Sequence, residues 1–354
     1  MLARRIDDQQ QNHQLKEAMN ALAHMFLPIR PLFAVLVLAA MTCTRLANSM
    51  PLVVGASVQV YANVAHPMKL TFGNSGELYV GNSDEPSLIR RVGAGGTTVQ
   101  NYGSTLINDP DSVLFDRLGS VSGVPGAVLV GGGASSSPSS IIQAILPDLT
   151  TITVFGPTST FSDVNDWTFD HLGRLLVVHQ GQQVLVATDN TSLSELFTVS
   201  SVPGSGHNYP ISIAVDTQNR IFVSSQDGKI RTYDRDGALL NDAFASGLDP
   251  YSYLAFGRGD GFGSNLYALS GSDLLTFDQL GFGTTIGTGF TVGPIAGVGF
   301  GFGDDGALYV SDYSEDRILR ISRMSNVPEP GTLALIGIAV AGLGFSRRNY
   351  WHWV

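Results

Sequence analysis

The sequence predicts an all-β, six-bladed propeller, and three observations lead to that prediction. A short β-rich run after a turn residue recurs six times, and the runs end at residues 80, 130, 177, 223, 268 and 310, with a mean spacing of 46. A repeat of that length is typical of a propeller blade. The chain also contains 41 Gly and 16 Pro in 354 residues, which favours turns, and few stretches show a helical period.

Each repeat shows three strands. The recurring run is the second of them, as in GELYV at 76–80, GRLLV at 173–177 and GALYV at 306–310. A first strand precedes it and often opens at a proline, as at 249–256, and a third strand follows it, as at 184–186. Since a lone blade cannot bury both faces of its sheet, whereas blades packed radially cover one another, we expect a fourth strand in each blade and a closed ring.

The ends of the repeat region predict how the ring closes. The last repeat stops at Arg323 after its third strand, while the first repeat is preceded by the apolar stretch 56–64. We therefore expect the stretch 56–64 to supply the outer strand of the sixth blade.

The first 49 residues predict an N-terminal extension followed by a secretory signal. Arg30 leads into the apolar stretch 32–41, and the small residues Ala47 and Ser49 follow. That order of charged, apolar and small residues is typical of a signal helix handled by the secretion machinery. The one cysteine, Cys43, lies at the edge of this segment, so the exported chain would contain no thiol and no disulfide.

The last 29 residues, 326–354, predict a tail with a separate role. Pro328, Glu329 and Pro330 precede the apolar run 332–345, and Arg347 and Arg348 follow that run. Because a helix needs about 20 apolar residues to cross a bilayer comfortably, these 14 predict a short transmembrane helix that anchors the chain transiently. The two arginines fit a cytoplasmic stop after the helix.

Removal of both signals leaves a propeller at 50–325 with an acidic balance. Residues 50–330 contain 13 Lys and Arg against 27 Asp and Glu, a net charge of −14. A surface of that sign repels phosphate backbones, which argues against a nucleic-acid partner.

The tail resembles the PEP-CTERM sorting domain of Gram-negative envelope proteins. The resemblance covers residues 327–348 and rests on Pro328, Glu329 and Pro330, the short apolar helix and the basic end. It implies recognition by a membrane-embedded exosortase and cleavage near the motif. It also implies passage through the inner membrane and delivery to the cell surface or the extracellular matrix.

The repeats resemble NHL-type and gluconolactonase-like six-bladed propellers. The phrases DTQNRIFVSS at 216–225 and GALYVSDYSEDRILR at 306–320 carry this resemblance, which covers about residues 56–323. Gluconolactonase-like propellers hold a divalent metal in the central channel through a Glu, an Asn and an Asp from different blades. The resemblance thus implies a Ca²⁺ or Mg²⁺ site, which oxygen ligands suit.

Acidic and amide residues at the openings of the first strands are the candidate metal ligands. Turn formation before proline is the alternative role for such residues. The candidates for the metal are Asp109, Asp163, Asn208 and Asp249, with Asn108 and Asn165 nearby and His66 and His207 as acid or base groups on the same rim. No glutamate in the first repeat matches the family ligand, so we assign no catalytic residue.

Other catalytic signatures are absent from the sequence. It contains no Gly-x-Ser-x-Gly elbow, no His-Glu-x-x-His and no P-loop. Gly301, Gly303 and Gly306 match the spacing of a dinucleotide fingerprint, but they open a strand where the fingerprint requires a helix, so we expect close packing there. We likewise expect Trp167 to pack on an inner strand.

Together these observations predict a non-catalytic binding or scaffold protein at the cell surface or in the matrix. Its partners would be the exosortase and an exopolysaccharide or another envelope protein. The alternative is a metal-dependent hydrolase or lactonase of the gluconolactonase-like group.

Overall fold

The structure is a computed structural model that describes residues 50–82, 88–103, 110, 112–132, 140–158, 163–199, 209–291 and 298–323. These residues belong to one compact unit. They form 25 strands in six sheets, which confirms the all-β, six-bladed propeller. The expected signal helix and the expected transmembrane helix lie outside the described residues.

Blades one to four are antiparallel four-stranded sheets whose strands follow one another outward from the axis, and blades five and six share this plan but each take an edge strand from the N-terminal segment. The six inner strands are β3 (Pro67–Phe72), β7 (Ser112–Asp116), β11 (Val164–Phe169), β15 (Pro210–Val215), β19 (Ser252–Phe256) and β23 (Phe300–Phe302). The second strands are β4 (Leu78–Asn82), β8 (Ala127–Gly132), β12 (Leu175–His179), β16 (Ile221–Ser225), β20 (Leu266–Ser270) and β24 (Leu308–Asp312). They coincide with the recurring runs of the sequence.

The third and fourth strands complete the blades. The third strands are β5 (Ile89–Val92), β9 (Ser140–Ile145), β13 (Gln183–Ala187), β17 (Ile230–Tyr233), β21 (Asp273–Phe277) and β25 (Arg317–Arg323). The fourth strands of blades one to five are β6 (Val99–Tyr102), β10 (Thr151–Thr158), β14 (Ser194–Thr198), β18 (Leu239–Ala245) and β22 (Gly283–Thr288). Short 3₁₀ turns cover Ala94–Gly96, Asp260–Phe262 and Tyr313–Glu315.

The N-terminal segment closes the ring, as the sequence predicted. Strand β2 (Ala56–Asn63) pairs antiparallel with β25 and becomes the outer strand of blade six, with Ala56 opposite Arg323. A further strand that the sequence did not predict, β1 (Leu52–Val53), adds a fifth strand to blade five by pairing with β22. One segment of 12 residues thus holds the outer edges of two neighbouring blades.

The hydrophobic core is divided among the six interfaces between blades. Six clusters of buried residues occur among the described residues, and each is built mainly from side chains of two adjacent blades. The second strands are therefore covered on both sides, and β4, β12, β16 and β24 are buried along their whole length. This double burial explains why these strands are near-continuous apolar runs and do not alternate with polar residues.

The strand order defines two faces of the propeller. We call the face where the inner strands begin the start face and the face where they end the end face. Because neighbouring strands are antiparallel, the turn after each inner strand and the turn after each third strand both lie on the end face. The ends of β25 and the beginning of β2 lie there as well.

The glycine triplet at 301–306 forms a strand and a turn. Gly301 lies in β23, and Gly306 has a positive φ of 70° in the hairpin that leads into β24. No helix begins there, so the resemblance to a dinucleotide fingerprint has no structural counterpart. Trp167 is 3% exposed and packs between blades two and three, as expected.

Candidate functional site

A cavity of about 1050 Å³ lies in the central channel and opens on the end face. The last residues of all six inner strands line it, together with the turns that follow several of them. Its walls combine aromatic rings with hydroxyl and amide groups. The aromatic lining includes Phe72, Phe115, Phe169 and Phe256, and the polar lining includes Thr71, Thr168, Gln218 and Asn265.

A buried ion pair lies among the deepest residues of this lining. Lys69 of β3 and Asp166 of β11 are 6% and 2% exposed, and 2.6 Å separates Lys69 Nζ from Asp166 Oδ1. The two residues belong to blades one and three, which are not neighbours, so the pair crosses the channel. Lys69 Nζ also lies 5.8 Å from the ring centre of Tyr253 in blade five. The charged group of Lys69 thus connects three separate blades.

The Asp166 carboxylate accepts hydrogen bonds at both oxygens. Besides Lys69, Oδ1 accepts from the Trp167 backbone N–H at 2.7 Å. The Ser212 hydroxyl and the Ile213 backbone N–H both donate to Oδ2, the latter at 3.1 Å. An ionised carboxylate offers about four acceptor sites, so these four donors occupy it fully. The arrangement neutralises the buried charge and joins blades one, three and four.

Sequence reasoning missed Lys69 and Asp166. The signal was present, since each is a charged residue inside an inner strand, as in PMKLTF and VNDWTF. The register places Lys69 and Asp166 at the same position of their blades, one residue before the residues that pair with Val80 and Val177. Opposite charges at equivalent positions of two repeats predict an ion pair at the propeller axis, but only when the number of blades and their closure into a ring are known.

The mouth of the cavity carries a cluster of exposed charges. Asp304 of blade six pairs with Arg117 of blade two at 3.4 Å and with Arg258 of blade five. Two guanidinium groups therefore share one carboxylate at the entrance. Asp170 and Asp216, by contrast, stabilise their own turns. Each carboxylate accepts a hydrogen bond from a backbone N–H of the turn. Each also accepts one from Nε of the arginine four residues later, at 2.7 Å. We therefore expect few unpaired carboxylates at the wall of the cavity.

Two of the metal candidates, Asp163 and Asp249, lie at the other rim. Asp163 and Asp249 precede inner strands on the start face and do not line the cavity. Asp163 Oδ2 accepts from Gln180 at 3.0 Å, and Asp249 Oδ1 accepts from the Tyr251 backbone N–H at 3.0 Å. Asp249 therefore has the turn-forming contact that was the alternative to metal binding.

The remaining candidates are only partly described. Asn108, Asp109, His207 and Asn208 lie outside the described residues. Asn165 is 1% exposed, and its amide donates to the carbonyl of Pro210 at 2.9 Å. The His66 backbone N–H donates to the Asp316 carboxylate at 2.9 Å. Within the described ranges no three His, Cys, Asp or Glu residues form a group that would hold a metal ion. The metal site stays a prediction.

The burial of His179 at the end of β12 should make the stability of the protein depend on pH. Burial lowers the pKa of this 3% exposed histidine to about 4, and its Nδ1 accepts from the Gly181 backbone N–H at 3.0 Å. Because the unfolded chain binds the proton at an ordinary pKa of about 6.5, the unfolded state gains protons first as the pH falls. We expect the free energy of unfolding to decrease by about 3 kcal/mol between pH 6.5 and pH 4 from this group.

Urea unfolding of wild type and His179→Gln across that range measures the effect. The variant should show a flatter dependence on pH, whereas His171→Gln, at an exposed position, serves as the matched control. Equal pH dependence in wild type and His179→Gln would contradict the lowered pKa of His179.

The sequence of the tail matches a known family model. Residues 326–348 match the family model of the PEP-CTERM protein-sorting motif. The chain carries a PEP-CTERM sorting motif. This motif identifies an exported protein that passes the membrane and is recognised by an exosortase. The individual roles of Pro328, Glu329, Pro330, Arg347 and Arg348 stay predictions, because these residues lie outside the described ranges.

Solved structures share the propeller that precedes the motif. A gluconolactonase from Xanthomonas campestris is 13% identical, with a TM-score of 0.57 over 77% of this chain and 95% of its own. Virginiamycin B lyase from Staphylococcus aureus is 13% identical, with a TM-score of 0.53 over 76% and 100%. An auxiliary nutrient binding protein from Bacteroides thetaiotaomicron is 12% identical, with a TM-score of 0.53 over 75% and 76%. At these identities the likeness establishes the fold.

No curated protein matches the sequence. The part of the chain that the structure describes contains no helix with the length and apolar character needed to cross a membrane.

Proposed function

We propose that this protein is an exosortase-processed propeller that acts at the cell surface or in the extracellular matrix as a non-catalytic binding protein. The sorting motif supports export and processing. The observation that carries the binding role is the cavity on the end face, whose deepest ionised groups are already fully paired with each other. Such a cavity offers volume and contacts to a ligand, while the carboxylate at its floor is already engaged.

The lining favours a neutral sugar as the ligand. Ligand pockets of about 300–1,000 Å³ commonly combine apolar walls with a few placed polar groups, and this cavity of about 1050 Å³ has both. Aromatic rings such as Phe169 and Phe256 provide flat apolar surface, and Thr168 and Gln218 provide hydroxyl and amide groups. The net charge of −14 at 50–330 disfavours a polyanionic ligand.

The pairing at the cavity floor supports the non-catalytic role. Asp166 is buried, its ion pair crosses the channel, and four donors occupy its acceptor sites. A general base needs a free acceptor site for the proton that it removes, and a metal ligand needs one for the ion. The 13% identical gluconolactonase and the 12% identical nutrient binding protein show that this fold serves both classes of function.

Binding of neutral matrix oligosaccharides to the processed chain tests the proposal. We expect Gln218→Ala, which removes an amide from the cavity wall, to weaken the affinity several-fold. Gln226→Ala is the matched control, because Gln226 contacts Tyr251 and does not line the cavity. Isothermal titration with a panel of glucose, mannose and galactose oligomers measures both variants against wild type.

Other outcomes of these measurements would contradict the sugar site or favour the alternative function. Absence of binding across the panel, or equal losses in the two glutamine variants, would contradict a sugar site in the cavity. Calcium bound near one equivalent and lost in Asp163→Ala or Asp249→Ala, together with lactone hydrolysis, would favour the alternative, a metal-dependent lactonase.

The mass of the chain in each cell fraction tests the proposed processing and the proposed location at the cell surface or in the matrix. In a host with the matching exosortase we expect a surface or matrix form shortened near Pro330, because the motif directs cleavage there. In a host without the enzyme we expect an uncut form at the inner membrane. Intact mass spectrometry of fractionated cells distinguishes the two forms, and an uncut chain in both hosts would contradict processing.

A further inference from the structure

Among the residues that the structure describes, eight exposed apolar side chains lie on the end face of the propeller. Twelve large hydrophobic residues are exposed within the described ranges, and four of them belong to the N-terminal segment 50–60. The other eight lie on the end face. They are Val99, Leu118, Leu149, Leu172, Leu239, Leu240, Leu280 and Phe282. We call these eight residues the apolar ring.

The strand register places the apolar ring around the mouth of the cavity. Leu118 and Leu172 lie in the turns that follow the inner strands of blades two and three. Leu149 and Leu280 lie in the turns between the third and fourth strands of blades two and five, and both kinds of turn are on the end face. Members of the ring occur in each of blades one to five.

The backbone presents some of these side chains in defined positions. Leu280 and Phe282 are 76% and 70% exposed, and the backbone N–H groups of both donate to Asp278 Oδ1 at 2.9 Å. Their turn is therefore held in place while the side chains point to solvent. Single exposed apolar residues are common on protein surfaces, so the feature that points to an interaction here is that eight of them share the face where the chain leaves the propeller.

One member of the apolar ring, Leu149, has a strained backbone conformation. Its φ is +70°, at the turn position that Gly237 and Gly281 occupy in blades four and five with φ of +90° and +85°. A leucine in the left-handed region is strained, whereas glycine is not. The chain thus places an exposed leucine where the fold itself favours glycine.

The chain leaves the propeller on the same face. Strand β25 ends at Arg323, opposite Ala56, and the Arg323 guanidinium donates to the Val54 carbonyl at 2.6 Å and lies 4.8 Å from the ring centre of Phe262. Eight residues, 324–331, separate this fixed point from the apolar run of the sorting tail. Even fully extended they reach about 30 Å. A tail in the membrane therefore keeps the end face near the bilayer.

We infer that, until the exosortase removes the tail, the propeller rests with its end face on the bilayer surface and the apolar ring inserts among the lipids. Separate protrusions around the mouth of the cavity suit a fluid surface, because lipids rearrange around each one, whereas a protein partner would need a continuous complementary patch. The net charge of −14 at 50–330 favours zwitterionic lipid. Cleavage would then release this face together with the mouth of the cavity.

The test uses the uncleaved chain purified from a host without exosortase and reconstituted in vesicles of phosphatidylethanolamine and phosphatidylcholine. With Cys43→Ser, a single Leu280→Cys carries an environment-sensitive fluorophore, and spin-labelled lipid serves as quencher. We expect at least twofold stronger quenching at position 280 than at Leu52→Cys, a control 72% exposed in β1. A Leu280→Ser and Phe282→Ser chain labelled at Leu172→Cys should show reduced quenching.

Three results would overturn the inference. They are equal quenching at positions 280 and 52, failure of the uncleaved chain to float with the vesicles, and protection of position 280 only when exosortase is present, which would assign the face to the enzyme. None of them depends on the ligand of the cavity.

Discussion

Asp166→Ala is expected to lower the free energy of unfolding by about 3–5 kcal/mol, because it leaves the buried Lys69 ammonium without its counter-charge. The Ser212 hydroxyl and the backbone N–H groups of Trp167 and Ile213 lose their acceptor at the same time. Each of these donors is buried, so water does not replace the lost bonds at no cost. Urea unfolding followed by circular dichroism measures the change.

A double-mutant cycle separates the pair from its surroundings. Lys69→Met removes the buried charge and keeps the length of the side chain, and Asp166→Asn keeps an acceptor for the backbone N–H groups. We expect the double variant to lose less stability than the sum of the single variants, since neither partner is then left charged and alone. Asp166→Ala within about 1 kcal/mol of wild type would show that the pair does not stabilise the channel.

A chain that begins at residue 64 is expected not to fold cooperatively. It lacks β2, so the sixth blade has three strands and the outer edge of β25 is unpaired. Ile318, Leu319 and Ile321 of β25 are fully buried, and exposing part of them costs on the order of 5 kcal/mol, which is comparable with the whole stability of a domain. Size-exclusion chromatography and thermal unfolding measure the result.

A chain that begins at residue 56 is the matched control. It lacks only β1, the two-residue strand at the edge of blade five, and keeps the closure of blade six. We expect a folded monomer with a modest decrease in melting temperature. Equal behaviour of the two shortened chains would contradict closure by β2.

Much of the fold follows from local signals. The second strands are apolar on both sides because each is covered by two neighbouring blades, so runs such as LYV at 78–80 and LLVV at 175–178 recur at the period of the blade. The gap after Arg323 and the extra stretch 56–64 also predicted the closing pair. Strand β1 was missed because two residues carry no periodicity that a sequence pattern can show.

The candidate site was harder to predict for a physical reason. Acidic residues before prolines drew attention to the start face, where Asp249 bonds its own turn. Lys69 and Asp166 are 97 positions apart, and nothing in either strand shows that they meet. The distance between two residues across a channel depends on how many blades close the ring, which is a property of the whole assembly.

The sequence alone determined the repeat, the six-bladed architecture, the closing segment and the sorting motif, because each depends on residues that are close together or repeat at a constant interval. Only the tertiary structure decided where the cavity opens, which charges meet inside it, and that the apolar ring and the exit of the chain share one face. These features arise when strand direction and ring closure bring distant turns together. A turn such as 278–282 shows its carboxylate and its exposed apolar residues in sequence, but its neighbours across the ring appear only in the folded protein.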